Sequence, residues 1–183
     1  RRWQTLAEEI IAHLNGLFDS GSLEGRQFIE AYRSGGVTAL IMENAGDVTD
    51  ALTTAARRDA TLRNEMTLWW NRYGAEYASG TMEQVLGQAI ISNWIGKILF
   101  AHILRETDQR AQRIASINDE TTPEQALRLF RQLSDDCNFW TIFSDSLGLN
   151  IIPQKAWDHL KQFNHLLSDL RVGSVDQGQL SGI

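Results

Sequence analysis

The stretch "AIISNWIGKILFAHIL", Ala89 to Leu104, constrains this chain most. It is preceded by Met82 and Leu86, which continue its apolar rows at helical spacing. Met82, Leu86, Ile90, Trp94 and Ile98 form one row, and Ile91, Ile95, Leu99 and Ile103 form another. A helix that is apolar over most of its circumference must be surrounded by other elements. Asn93, Lys97 and His102 interrupt the stretch, and it is too short for a membrane span. The reading is a central buried helix. Ser92 and Gly96 are small and are expected to let a neighbouring helix approach closely.

The periodicity elsewhere supplies the surrounding helices, and no strand pattern competes with it. Trp3, Leu6, Ile10, Leu14 and Leu17 recur at three- and four-residue steps. Short helices are expected from about Leu23 to Tyr32 and from Val37 to Ala45. A long one is expected from about Val48 to Tyr77, with Asp47 or Thr49 as its cap. Thr81 followed by Gln84 reads as a capping box. Thr122, Pro123 and Gln125 make a second strong start signal. Ala126, Leu127, Phe130 and Leu133 mark its buried face, and Trp157, Leu160, Phe163, Leu167 and Leu170 mark that of the last full helix. The fold class is all-α: a single multi-helix, bundle-like domain of about seven to nine helices spanning 1–183. Residues 1–80 read as a variable helical extension, 81–172 as core helices and 173–183 as the start of a connection to a further domain. In "DLRVGSVDQGQLSGI", Gly173 stops one helix, and Leu180 and Ile183 read as the first apolar steps of another.

Charge and cysteine usage narrow the functional classes. The net charge of −6 argues against a surface wholly devoted to gripping nucleic acid, though not against a local basic strip. Cys137 is the only cysteine, which excludes an intrachain disulfide and fits a cytoplasmic protein. Arg1-Arg2-Trp3 leads into an amphipathic run, not into the apolar core of a secretory signal.

The motifs of common chemistries are missing. Neither G-x-x-x-x-G-K-[ST] nor G-x-G-x-x-G occurs, so no phosphate loop is expected. His159 and His165 are six residues apart and fall on opposite sides of a helix, and His13 and His102 are remote, so no metal site is expected. Glu9 and His13 form an i, i+4 pair, but no second carboxylate–histidine pair completes a di-metal set. Cys137 has acidic neighbours, Asp135 and Asp136, which would raise a thiol pKa, and it reads as a packing residue. No catalytic residue is assigned.

Two features are left as candidate surfaces. Arg105, Arg110 and Arg113 are the leading candidates for contact with DNA backbone, because guanidinium groups suit phosphate. Glu106, Asp108, Asp119 and Glu120 dilute that patch. The competing reading, which we prefer, is a salt-bridged, solvated end of a helical hairpin. The Arg57, Arg58, Arg63 and Arg72 series is similar and no stronger. The aromatic group Phe139, Trp140, Phe143, Trp157 and Phe163 reads as core, with Trp157, Phe163 and Leu180 as candidates for contact with another domain.

The second half of the chain also resembles a known family. "ISNWIGKILFAHILRE", "ALRLFRQL", "CNFWTIFSDSLGLNIIPQKAWDHLKQFNHLLSDL" and "SVDQGQLSGI" follow one another. This order is similar to the helical region preceding the catalytic domain of large N6-adenine DNA methyltransferases of restriction–modification and phage-defence systems. The matching residues are Leu99, Phe100, Leu104 and Arg105, then Phe139, Phe143, Trp157, Phe163, Asn164 and Leu167, then Asp176, Leu180 and Ile183. The resemblance covers about the last hundred residues. It implies a downstream methyltransferase domain as partner and S-adenosylmethionine as the cofactor of the parent protein, with none held by this stretch. The family's Asn/Asp-Pro-Pro-Tyr/Phe and Phe-x-Gly-x-Gly motifs do not occur here, so none of its functional residues can be carried over. A stand-alone helical adaptor fits the same absence of motifs, and a helical small-molecule enzyme has only the aromatic group behind it.

Overall fold

In the computed structural model, residues 37–74, 77, 79–105 and 107–169 are described. They form α1 (Val37–Arg58), α2 (Ala60–Tyr73), α3 (Met82–Leu104), a 3-10 helix (Gln109–Ser116), α4 (Pro123–Cys137), α5 (Trp140–Phe143) and α6 (Gln154–Asp169), with no strand among them. The all-α class is therefore as expected. The helices expected before residue 37, and Leu180 with the rest of 173–183, lie outside the described residues. No helix among the described residues is long and apolar enough to cross a membrane.

α3 is the axis of the fold, packing against α1, α2, α5, α6 and the 3-10 helix. Its start is fixed by the expected capping box: Gln84 N donates to Thr81 Oγ1 at 3.3 Å, and Thr81 N donates to Gln84 Oε1 at 2.9 Å. Two of the helix's otherwise orphaned donors are satisfied this way. α4 begins identically, with Thr122 and Gln125 as the pair and Pro123 inside the first turn. It ends at Asn138, whose left-handed φ of 61° turns the chain into α5.

Two expectations about α1 and α2 need correcting. A break was expected near Gly46, but α1 runs unbroken through it. Asp47 caps nothing: its carboxylate accepts from Lys155 of α6 at 3.0 Å. Thr49 turns its hydroxyl back to Ala45 O at 2.7 Å. The break falls instead at Asp59, inside the segment read as continuous. Asp59 is extended (φ −123°, ψ 108°), and its carboxylate accepts from Thr61 N and Leu62 N at 2.8 and 3.2 Å. Arg63 closes the preceding helix by donating from Nε and Nη2 to Ala56 O. An aspartate N-cap of this kind is worth about 1 kcal/mol. The apolar pattern runs through the joint and hides it.

One core joins all these helices. Trp94 of α3 is fully buried, with its ring centroid 5.0 Å from that of Trp157 (α6) and 5.9 Å from that of Phe130 (α4). Phe130 stacks on Phe143 of α5 at 5.7 Å. Leu40, Val48 and Leu52 of α1 and Met66 of α2 belong to the same cluster.

The close helix approach also lies elsewhere than expected. Ser92 and Gly96 are exposed, and a Cβ on Gly96 would meet nothing within 4 Å. Gly87 is the contact: a Cβ there would stand 2.6 Å from Thr49 Oγ1 and 3.2 Å from Ala45 O of α1. Because α1 backbone lies behind the threonine, the contact cannot relax by a side-chain rotation alone. Gly87→Ala is expected to destabilise the fold by about 1–3 kcal/mol. Gly96→Ala, in open space on the same helix, is expected to stabilise it by about 0.5–1 kcal/mol. Urea midpoints of the two variants, at unchanged m-value, should move in opposite directions.

Candidate functional site

The arginines first considered for DNA are each engaged within the fold. Arg105 donates from Nη2 to Leu167 O and Ser168 O at 3.0 and 3.2 Å, so it closes the last turn of α6. A cation at that end also meets the negative pole of the helix. Arg110 grips Asp108 through Nε at 2.9 Å and Nη2 at 2.6 Å. That guanidinium, above all, holds the Asp108 carboxyl well below the usual carboxylate range. Asp108 also accepts from Arg110 N, capping the 3-10 helix. Arg113 reaches Asp136 of α4 at 2.7 Å. Each of the three is committed to a different acceptor. Arg110 and Arg113 are ion-paired, and Arg105 is bonded to backbone carbonyls.

Trp157 and Phe163, considered for contact with another domain, are covered by the chain's own helices. Each is 1% exposed, and Trp157 Nε1 donates to Thr121 O at 2.7 Å. Burial leaves neither with a face to offer. Among the described residues, the most exposed aromatic rings are on α5 and just before it: Trp140 is 58% exposed and Phe139 37%. Phe139 rests edge-on against Phe100 at 5.0 Å.

The interior holds a set of polar groups, of which Lys97 and His102 show in the sequence only as interruptions of an apolar stretch. Lys97 is 2% exposed, and its Nζ donates to Ile142 O at 2.7 Å and Ser144 O at 2.6 Å. It thereby ties the carbonyls around the end of α5 to α3. Burial pushes Lys97 down to about 8, and the Asp145 carboxylate opposes that shift. His102 is fully buried, and its Nε2 lies 2.9 Å from Asn164 Oδ1. Asn164 Nδ2 donates to Ile117 O at 3.2 Å, so its oxygen faces the ring and His102 Nε2 is the donor. Burial above all pushes His102 down to about 4, with the Asn164 bond opposing and the charge on Arg105 adding to the fall. His159 Nδ1 meets Asn44 Oδ1 of α1 at 2.9 Å. Lys161 is 7% exposed and donates to Asp119 O at 2.8 Å. Each of these bonds joins segments distant in the chain and relieves the cost of burying a polar group.

The remaining chemistry-bearing residues stand apart. Cys137 is buried, and burial followed by the nearby Asp108 carboxylate pushes its thiol up, away from thiolate character. Among the described residues, no three His, Cys, Asp or Glu side chains cluster closely enough to hold a metal ion. Lys97 and His102 had a legible signal: each sits inside an otherwise apolar helical face, where only a partnered polar group is tolerated. Their partners lie 45 to 62 residues away and could not be read locally.

No protein family matches the chain, and no match is found among curated proteins or solved structures.

Proposed function

We propose that this chain is a non-catalytic helical module of an N6-adenine DNA methyltransferase of the restriction–modification type. In this reading it acts in the cytoplasm and braces the methyltransferase domain. The supporting observation is the commitment of its polar side chains to joining helices. Lys97 binds the carbonyls of Ile142 and Ser144, His102 binds Asn164, and His159 binds Asn44. A body tied in this way holds its shape while a neighbouring domain extrudes a base, a step that requires the duplex to be held from several sides.

In this reading S-adenosylmethionine belongs to the methyltransferase domain, and the glycines of the described residues offer no cradle for it. The positive-φ glycines Gly80 and Gly148 stand at turns, and the space over Gly148 is filled by Ile90 and Leu52. Incubation of the chain with labelled S-adenosylmethionine and duplex DNA is expected to transfer no label, and methyl transfer would overturn the reading. The codons after Ile183 give a second test. An Asn/Asp-Pro-Pro-Tyr/Phe motif within a few hundred residues supports the proposal, and a stop codon sinks it.

A stand-alone interaction module is the second reading. The exposed Trp140 and Phe139 favour it, since large aromatics at a surface are enriched where proteins meet.

A further inference from the structure

The cations of this protein are unevenly committed. Among the described residues, Arg110, Arg113 and Arg131 form ion pairs with Asp108, Asp136 and Asp145. Arg128 acts on Glu124 one turn away. Arg57, Arg58, Arg63 and Arg72 are all exposed, and none has a carboxylate partner within ion-pair distance among the described residues. They are concentrated in the end of α1 and the length of α2. Only Asp59 and Glu65 oppose them in that stretch, and the Asp59 carboxylate is occupied in capping α2. The chain as a whole carries −6, so this is a local reversal of sign.

α2 is also the least covered of the long helices. Met66 is its only buried residue. Asn64, Thr67, Leu68 and Asn71 recur at i, i+3, i+4 and i+7, and all four are exposed. They form one outward row. Arg63 and Arg72 flank that row on its two sides, about 13.5 Å apart along the axis at the helical rise of ~1.5 Å per residue. Arg57 and Arg58 precede α2 across the joint at Asp59. Arg63 is partly structural because it closes α1, and Arg72 lies over the Tyr73 ring with its guanidinium 5.6 Å from the centroid.

We propose that the end of α1 and the outward face of α2 form a nucleic-acid contact surface, in which Arg57, Arg58 and Arg72 take backbone phosphates. The amide side chains of Asn64 and Asn71 then face the groove. Three facts favour a nucleic acid over other anionic partners. The cations are all arginine, whose planar fork matches phosphate. The face between them carries hydrogen-bonding amides of the kind that pair with adenine edges. The surface is a helix of the diameter a major groove admits. The inference deepens the methyltransferase reading by naming its DNA-contacting surface, and rests on it for the choice of duplex DNA as ligand.

The test uses the whole chain, a labelled 20-base-pair duplex and a salt series. The wild type is expected to bind at low salt and to weaken as salt rises. Arg57→Ala/Arg58→Ala/Arg72→Ala is expected to bind at least tenfold more weakly, with its salt slope reduced by about 3. Arg110→Ala/Arg113→Ala should stay within twofold of wild type. A circular-dichroism melt controls for folding. The proposal is overturned if the triple variant binds DNA like wild type, or if wild type does not bind at low salt. It is also overturned if phosphatidylserine vesicles, and not DNA, are bound through these arginines. DNA binding through this face, together with a stop codon after Ile183, would leave the surface standing while the methyltransferase assignment falls.

Discussion

Trp94→Ala is expected to lower the unfolding free energy by about 3–5 kcal/mol, a large part of what a domain of this size possesses. The side chain is fully buried on the central helix, between Trp157 and Phe130. Its removal leaves a cavity lined by groups on three helices, which cannot all collapse together. It also strands the Leu149 carbonyl, which accepts from Trp94 Nε1 at 3.1 Å. Trp94→Phe separates the two effects. It keeps most of the apolar volume but not the indole donor, so a loss of about 1–3 kcal/mol is expected. Urea unfolding of both variants, followed by circular dichroism, measures the difference. A loss below about 1 kcal/mol for the alanine variant would show that the three-helix contact repacks freely.

Acid is expected to destabilise this protein through His102. The folded chain keeps the imidazole at about 4 against an ordinary 6.5, chiefly through burial. Between those two values the unfolded chain binds a proton that the folded chain refuses. Stability therefore rises with pH across this window. Going downward, it falls from about pH 6.5 and levels off below about pH 4, with a total near 3 kcal/mol. His102→Gln can still donate to Asn164 but has no titration, so its acid limb should be shallower. Unfolding free energies at pH 7 and pH 4.5, for wild type and variant, decide the matter. Equal losses in the two would assign the acid sensitivity to other groups.

The helices were legible where a strong local signal coincided with a change in pattern. Thr81 and Gln84, like Thr122, Pro123 and Gln125, announce a helix start within four residues, and both starts form as read. Asp59 has the same chemistry but sits within continuous helical periodicity, so its role depends on the backbone turning there. The same limit explains the misplaced close contact. Gly96 and Gly87 are both small residues on α3, and only the position of α1 distinguishes them. Burial of Trp157 and Phe163 follows from their apolar spacing, but whether a buried face meets the same chain or another one is a tertiary fact. The partners of Arg105, Arg113, Lys97 and His102 likewise come from distant elements. For the candidate surface on α2, the sequence shows the arginines but not which of them have no carboxylate partner among the described residues.

The joint at Asp59 gives α2 a degree of thermodynamic independence. One carboxylate starts α2, while Arg63 completes the hydrogen bonding of α1 from within it. With Met66 as its only fully buried side chain, and Leu62 and Trp69 only partly buried against the core, α2 withdraws less apolar surface from water than α1 or α3, so its separation from the body costs less than opening either of them. The arginine-bearing arm can therefore be the first element to open while the tryptophan core stays closed. An arm of this kind can adjust its angle to a curved polyanion without drawing on the stability of the rest.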